Sequence, residues 1–239
     1  MTFPDTILVD LDGTLVDTAP DIAEAVGRTL LELGAPSLPF GTVRGFIGNG
    51  VPMLVRRVLQ ASGGTHIDER PALALFQRHY RDTNGRFGSV FPGVREGLAA
   101  LRKAGCRLAC VTNKPRAATA GLLDIHALAP WFDAVVAGDT LDRMKPDPAP
   151  LLHACELLQA DPGRALLVGD SGVDVAAARA AGMPVAIVRY GYPGMDGIDA
   201  MRCDAFIDAL DELPAMLAGA SRTRLTPRTA PPCAPASRS

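Results

Sequence analysis

Short apolar runs rich in β-branched residues recur six times along the chain, at 6–9 (TILV), 107–111 (RLACV), 133–137 (DAVVA), 165–168 (ALLV), 184–188 (PVAIV) and 205–207 (AFI). None alternates apolar with polar, so each reads as a strand buried on both faces. Between most of them lie segments of helical period, at 94–105, 116–128, 148–159 and 173–182. A strand followed by a helix, repeated, can bury both elements only as a parallel sheet covered by helices on its two sides. The expected fold class is α/β, a doubly wound, Rossmann-like parallel sheet.

One interval breaks the rhythm. Residues 17–93 carry no convincing strand and three helical stretches, at 20–33, 52–62 and 68–86, which is too much chain for one crossover. This predicts a small helical cap inserted after the first strand, with linkers at 16–19 and 88–93. The expected domains are a core of residues 1–17 and 89–218, a cap of residues 18–88, and a tail of residues 219–239. The tail is rich in Pro, Ser, Arg and Ala without apolar period and is expected to be disordered.

At 239 residues, with 48% hydrophobic and 21% charged, the chain can bury one full core and a smaller second one. A net charge of −2 gives no general attraction to nucleic acid or anionic membrane, so an anionic ligand must be captured by local groups. The N-terminal residues lack the pattern of a secretory signal, and no apolar stretch is long enough to span a bilayer, so a cytoplasmic protein is expected, monomer or homodimer. Cys106, Cys110, Cys155, Cys203 and Cys233 are odd in number and show no metal or redox spacing, and they read as reduced thiols.

Ligands of open parallel sheets bind at the carboxyl ends of the strands. The first run ends in Asp10-Leu11-Asp12-Gly13-Thr14. A turn explains Asp12-Gly13, but Asp10 would lie half buried beside a like charge, a cost that a hard divalent cation removes. The second run ends in Thr112-Asn113, whose hydroxyl and amide can donate to phosphoryl oxygens or simply cap the next helix. Gly169-Asp170-Ser171-Gly172-Val173-Asp174 follows the fourth run and adds oxygens for the same ion, a magnesium-type donor set. Lys145, fixed by Pro146, would balance these carboxylates and meet an anionic substrate.

Asp-x-Asp-Gly-Thr, a strand-ending Thr, Lys-Pro and Gly-Asp-Ser-x-x-Asp, in this order over residues 1–218, resemble the motif set of the haloacid dehalogenase-like phosphatases. The resemblance implies Asp10 as nucleophile, Asp12 as general acid and base, Thr112 and Lys145 as phosphoryl-binding groups, to which the strand-end position adds Asn113, and Asp170 as metal ligand with Asp174 in support; the chemistry then has Mg2+ held by Asp10, the Asp12 main-chain carbonyl and Asp170. It implies a small-molecule phosphate ester as substrate. Asp12 favours phosphoryl transfer over carbon-halogen chemistry, because the dehalogenase members lack the second Asp.

Three stretches, at 45–59, 138–158 and 188–194, look like bacterial phosphoglycolate phosphatases within that family. Gly172-Val173 and Arg189 depart from their usual pattern. Gly48-Asn49-Gly50 before Pro52 reads as a tight loop feeding a helix N-terminus, suited to a substrate carboxylate with Arg44 as partner; a plain helix start is the alternative. A sugar-phosphate phosphatase or a phosphomutase would share the core motifs. A binding module without activity would be expected to have lost Asp10 or Asp12.

Overall fold

In the computed structural model, residues 4–194 and 197–222 are described. The strands are β1 (Thr6–Val9), β2 (Val16–Asp17), β3 (Ser89–Val90), β4 (Arg107–Val111), β5 (Ala134–Val136), β6 (Ala165–Gly169), β7 (Val185–Val188) and β8 (Ala205–Ile207). The α-helices are α1 (Ala19–Glu32), α2 (Phe40–Arg44), α3 (Val51–Ala61), α4 (Glu69–Thr83), α5 (Val94–Lys103), α6 (Arg116–Ile125), α7 (Ala149–Leu157), α8 (Gly172–Ala180) and α9 (Leu213–Arg222). All six apolar runs form strands of one parallel sheet, in the order β5-β4-β1-β6-β7-β8.

The unbroken apolar character of the runs follows from having a helix layer on each side. Ile7 and Val9 face one layer with Leu98 and Leu101 of α5, Leu122 of α6 and Leu213 of α9. Leu8 faces the other, with Leu151 and Ala154 of α7 and Val175 and Ala178 of α8. Each such side chain contributes roughly 1.5–3 kcal/mol when fully buried, so β1, buried at all four residues, is held hard from both sides. Winding from β1 to β4 and β5 and then back across to β6 puts a topological switch beside β1. The chain leaves β1 at Asp10, β4 at Thr112 and β6 at Asp170, all at the carboxyl end of the sheet.

Helices α1 to α4 pack around a core of their own that includes Ile22, Leu30, Leu54, Val58, Phe76 and Tyr80. On α4 the buried positions are Ala72, Phe76, Tyr80 and Thr83, a single helical stripe. Asp68 caps that helix, accepting from Arg70 N at 3.0 Å. Three features differ from the sequence reading. The expected linkers pair as a short antiparallel ribbon, Val16 with Val90 and Asp17 with Ser89, because two-residue strands leave no periodic trace. Helix α2, only five residues long, is likewise below the reach of periodicity. Finally, α9 continues through Arg222, past the Gly219 at which the tail was expected to begin, because Leu213 is buried against the sheet layer and Met216 and Leu217 pack on it. Residues 223–239 of that expected tail lie outside the described residues, as does Cys233.

Among the described residues no helix is long and apolar enough to cross a membrane. The four described cysteines are free thiols, three of them buried.

The return from α4 is fixed by one carboxylate. Asp21, wholly buried in the first turn of α1, accepts backbone N–H groups from Gly85 (2.9 Å), Arg86 (3.1 Å), Phe87 (2.7 Å) and Gly88 (3.2 Å). Its main-chain carbonyl accepts from Thr83 Oγ1 at 2.9 Å. Replacing Asp21 with Ala strands these donors, and the expected loss is about 2–4 kcal/mol of stability. A urea midpoint unchanged by Asp21→Ala would show that water satisfies the segment equally well.

Candidate active site

The turn after β1 is tight, with Leu15 and Val16 both donating to the Leu11 carbonyl at 3.0 and 3.1 Å. Gly13 makes it possible. Its φ is +85°, and a Cβ there would lie 2.0 Å from Asp170 Oδ2, so a side chain would collide with the neighbouring acidic loop. Asp10 N donates to Val168 O at 2.9 Å, so the sheet ladder itself holds the first loop against the last residues of β6.

Lys145 stands between the two loops. Its Nζ donates to Asp174 Oδ1 at 2.7 Å, to Asp10 Oδ1 at 2.9 Å and to the Val111 carbonyl at 2.9 Å. Burial alone would lower its pKa, but Asp10 and Asp174 outweigh burial and the net shift is upward, so the lysine stays charged. Asp174 does two further things. Its Oδ2 accepts from Ser171 N at 3.2 Å and Ser171 Oγ at 2.6 Å, closing the first turn of α8, so one side chain both caps the helix and pairs with the lysine.

Asp10, Asp170 and Asp174 each offer a carboxylate oxygen, all within 4.8 Å of one another and all buried. Burial pushes the Asp10 carboxyl up to about 7, with Asp174 adding to it and Lys145 opposing it. Asp170 is raised well above the ordinary carboxylate range by burial first and by Asp174 and Asp10 next. Four carboxylates, counting Asp12, face Lys145 and Lys114, a formal charge of −2 that one divalent cation balances. The donor set is all oxygen, as a hard cation requires, and the site therefore fits one.

Asp12 is not in that triplet. Its Oδ1 pairs with Lys114 Nζ at 2.9 Å. Lys114 also donates to the Tyr80 hydroxyl and lies 4.7 Å from the centroid of the Tyr80 ring. Neither residue was picked out from sequence. Lys114 had a readable signal, since Lys114-Pro115 follows a strand end as Lys145-Pro146 does; Tyr80 sits on a helical stripe like any core aromatic. Asp10, Asp12, Thr112, Lys114, Lys145 and Tyr80 all line a cavity of about 50 Å³ at the strand ends.

Thr112 is buried there, and its Oγ1 accepts from Lys114 N at 3.2 Å, which leaves the hydroxyl proton for a ligand. Both donors of the Asn113 side-chain amide are taken, by the Gly48 carbonyl at 2.9 Å and the Lys145 carbonyl at 2.8 Å, so the side chain ties the loop before α3 to the strand ends while the residue still lines the cavity.

The residues expected to receive a carboxylate divide. Gly48 and Gly50 line the cavity, and Gly50, at φ +81°, opens α3. Asn49 turns away, its Oδ1 accepting from Arg57 at 2.9 Å. Arg44 is not in the cavity either. Its guanidinium donates to the carbonyls of Tyr190 (3.1 Å) and Gly191 (2.8 Å) and stacks on the Tyr192 ring at 5.1 Å, because the loop after β7 offers backbone acceptors nearer than the strand ends. Tyr192 continues the link: its N–H donates to Asp170 Oδ2 at 2.6 Å, and its hydroxyl bonds Asp17 and accepts from Ala19 N at 3.0 Å.

The raised Asp10 pKa makes a prediction for the metal-free protein. Between about 4 and 7 the unfolded chain releases a proton that folded Asp10 retains, so stability falls as pH rises through that window. Wild type should show the fall, Asp10→Asn a shallower one, and excess divalent cation should offset it in wild type. Equal slopes in thermal melts of the two metal-free proteins would contradict the assignment.

Comparison with known proteins agrees with this geometry. A family model described as haloacid dehalogenase-like hydrolase matches residues 4–182. A plasmid phosphoglycolate phosphatase of Cupriavidus necator is 60% identical over 222 residues, covering 92% of this chain and 95% of that protein. The phosphoglycolate phosphatase of Nitrosospira multiformis is 47% identical, covering 88% and 94%. Among solved structures, a predicted phosphoglycolate phosphatase from Haemophilus somnus superposes with a TM-score of 0.86 at 30% identity, covering 90% of this chain and 99% of that one. With the family model spanning most of the chain and the strand-end carboxylates in place, the protein belongs to the haloacid dehalogenase-like hydrolases.

Proposed function

We propose that this protein is a Mg2+-dependent phosphatase that hydrolyses 2-phosphoglycolate to glycolate and phosphate through an aspartyl phosphate on Asp10. The observation that carries the reading is the position of Asp10: a buried carboxylate at the end of the central strand, 2.9 Å from the Lys145 ammonium and opening on the cavity. The choice of ester rests on the relatives named phosphoglycolate phosphatase, at 60% and 47% identity. A small cavity suits a two-carbon acid.

Asp10, Asp170 and the Asp12 carbonyl would hold the ion, with Asp174 in support. When bound, Mg2+ screens the repulsion between the carboxylates and the phosphoryl oxygens. Asp10 attacks phosphorus in line, forming an acyl phosphate and dividing one difficult displacement into two. Asp12, one turn of loop away and less buried, protonates the departing glycolate oxygen and then takes a proton from the water that hydrolyses the acyl phosphate. The Thr112 hydroxyl donates to a phosphoryl oxygen, and Lys145 keeps the Asp10 carboxylate oriented while adding positive charge. Helices α1 to α4 act as a cap that excludes water from the acyl phosphate. The reading includes a cytoplasmic location and a monomer or homodimer without nucleic-acid or membrane partners.

Phosphate release across a panel of phosphorylated acids and sugars should be fastest for 2-phosphoglycolate and should cease with chelator. Asp10→Asn should lower turnover by at least ~10³-fold. Full activity of this variant, or in excess chelator, would falsify the mechanism. Asp12→Asn should lower kcat by ~10²–10⁴ while inorganic phosphate still inhibits at its wild-type concentration; a loss of phosphate affinity with kcat intact would move Asp12 out of the proton-transfer role.

A further inference from the structure

Lys114 has no part in the reaction as set out, yet its side chain is only 2% exposed and its ammonium borders the cavity. Two of its N–H groups are committed, one to Asp12 Oδ1 at 2.9 Å and one to the Tyr80 hydroxyl. The Tyr80 oxygen accepts that bond and keeps its own proton to donate. Lys145, the other lysine lining the cavity, is saturated by Asp10, Asp174 and the Val111 carbonyl. The two lysines therefore differ in kind: one is bound up with the carboxylate cluster, and the other has donor capacity on the side of the insertion helices.

We propose that Lys114, assisted by the Tyr80 hydroxyl, receives the substrate's carboxylate and so selects acidic phosphate esters. The proposal rests on the phosphoglycolate reading and adds the group that recognises the acid. Asp12 must reach the ester oxygen to protonate it, and in phosphoglycolate the carboxylate is joined to that oxygen through a single methylene. A cation in contact with Asp12 is thus the cation that the carboxylate meets. The Gly48-Asn49-Gly50 loop brings no charge of its own, since Asn49 faces Arg57 and Arg44 is bound to the loop after β7. The face of the Tyr80 ring, 4.7 Å from Nζ, holds the ammonium in place without competing for the ligand.

The test compares 2-phosphoglycolate with ethyl phosphate, which shares the phosphoryl group and lacks the acid, using the Mg2+-loaded full-length protein. Lys114→Gln should lower the ratio of the two kcat/KM values by ~10–100-fold, as for losing a charged hydrogen bond. Tyr80→Phe, which removes one oxygen and keeps the ring, should lower the ratio by roughly 3–10-fold, and it carries the test if the lysine variant does not fold. Inhibition by glycolate should weaken in both variants while inhibition by inorganic phosphate holds. A ratio that stays at its wild-type value while both efficiencies fall together would make Lys114 a residue that only orients Asp12, and would overturn the proposal. A wild-type protein that does not prefer phosphoglycolate removes the substrate reading itself, a failure seen before any variant is made.

Discussion

Carboxylates crowded at one end of a parallel sheet are the constraint on which the rest of this structure depends. Asp10, Asp170 and Asp174 are buried within reach of one another, and each alone would lose several kcal/mol of hydration on ionising there. Lys145 offsets part of that cost by touching two of the three. Its position depends on β4, whose final carbonyl takes the third ammonium proton. The sheet order makes the arrangement possible, because β1 lies between β4 and β6 and so brings the loop ends into contact. What the fold leaves unbalanced is negative charge, and that imbalance is the binding energy for a cation.

A second set of contacts ties the insertion to this cluster. Asn113 reaches from the end of β4 to the Gly48 carbonyl, Arg44 reaches from α2 to the loop after β7, and Tyr192 joins that loop to both Asp170 and the ribbon entry at Asp17. The polar residues between the two bodies are thus mostly engaged with backbone, which gives shape to the site and leaves few groups free for ligand. Lys114 and Thr112 are exceptions that face the cavity.

The parallel sheet was legible in sequence because strands buried on both faces are written as unbroken apolar runs, and the acidic loops because charge after such a run is costly without a partner. The run of helices between β2 and β3 was legible from the lack of apolar runs there. Side-chain direction was not. Asn113, Asn49 and Arg44 are of suitable type and lie in suitable stretches, but each is drawn to a nearer partner that sequence spacing does not reveal. Tyr80 occupies a core position of α4 while its hydroxyl ends at Lys114, so its apolar period conceals a polar tip. The β2–β3 ribbon and the Asp21 clamp depend on contacts between segments more than sixty residues apart, beyond any local pattern.

Asp174 shows what such economy means for substitution. One oxygen neutralises Lys145 while the other closes the first turn of α8, and the same side chain completes the triplet with Asp10 and Asp170. Asparagine could still cap the helix, glutamate could still carry the charge, but neither offers both at the same reach. Three separate demands therefore meet in one side chain, so a substitution that satisfied the helix, the ion pair or the cluster alone would fail the other two.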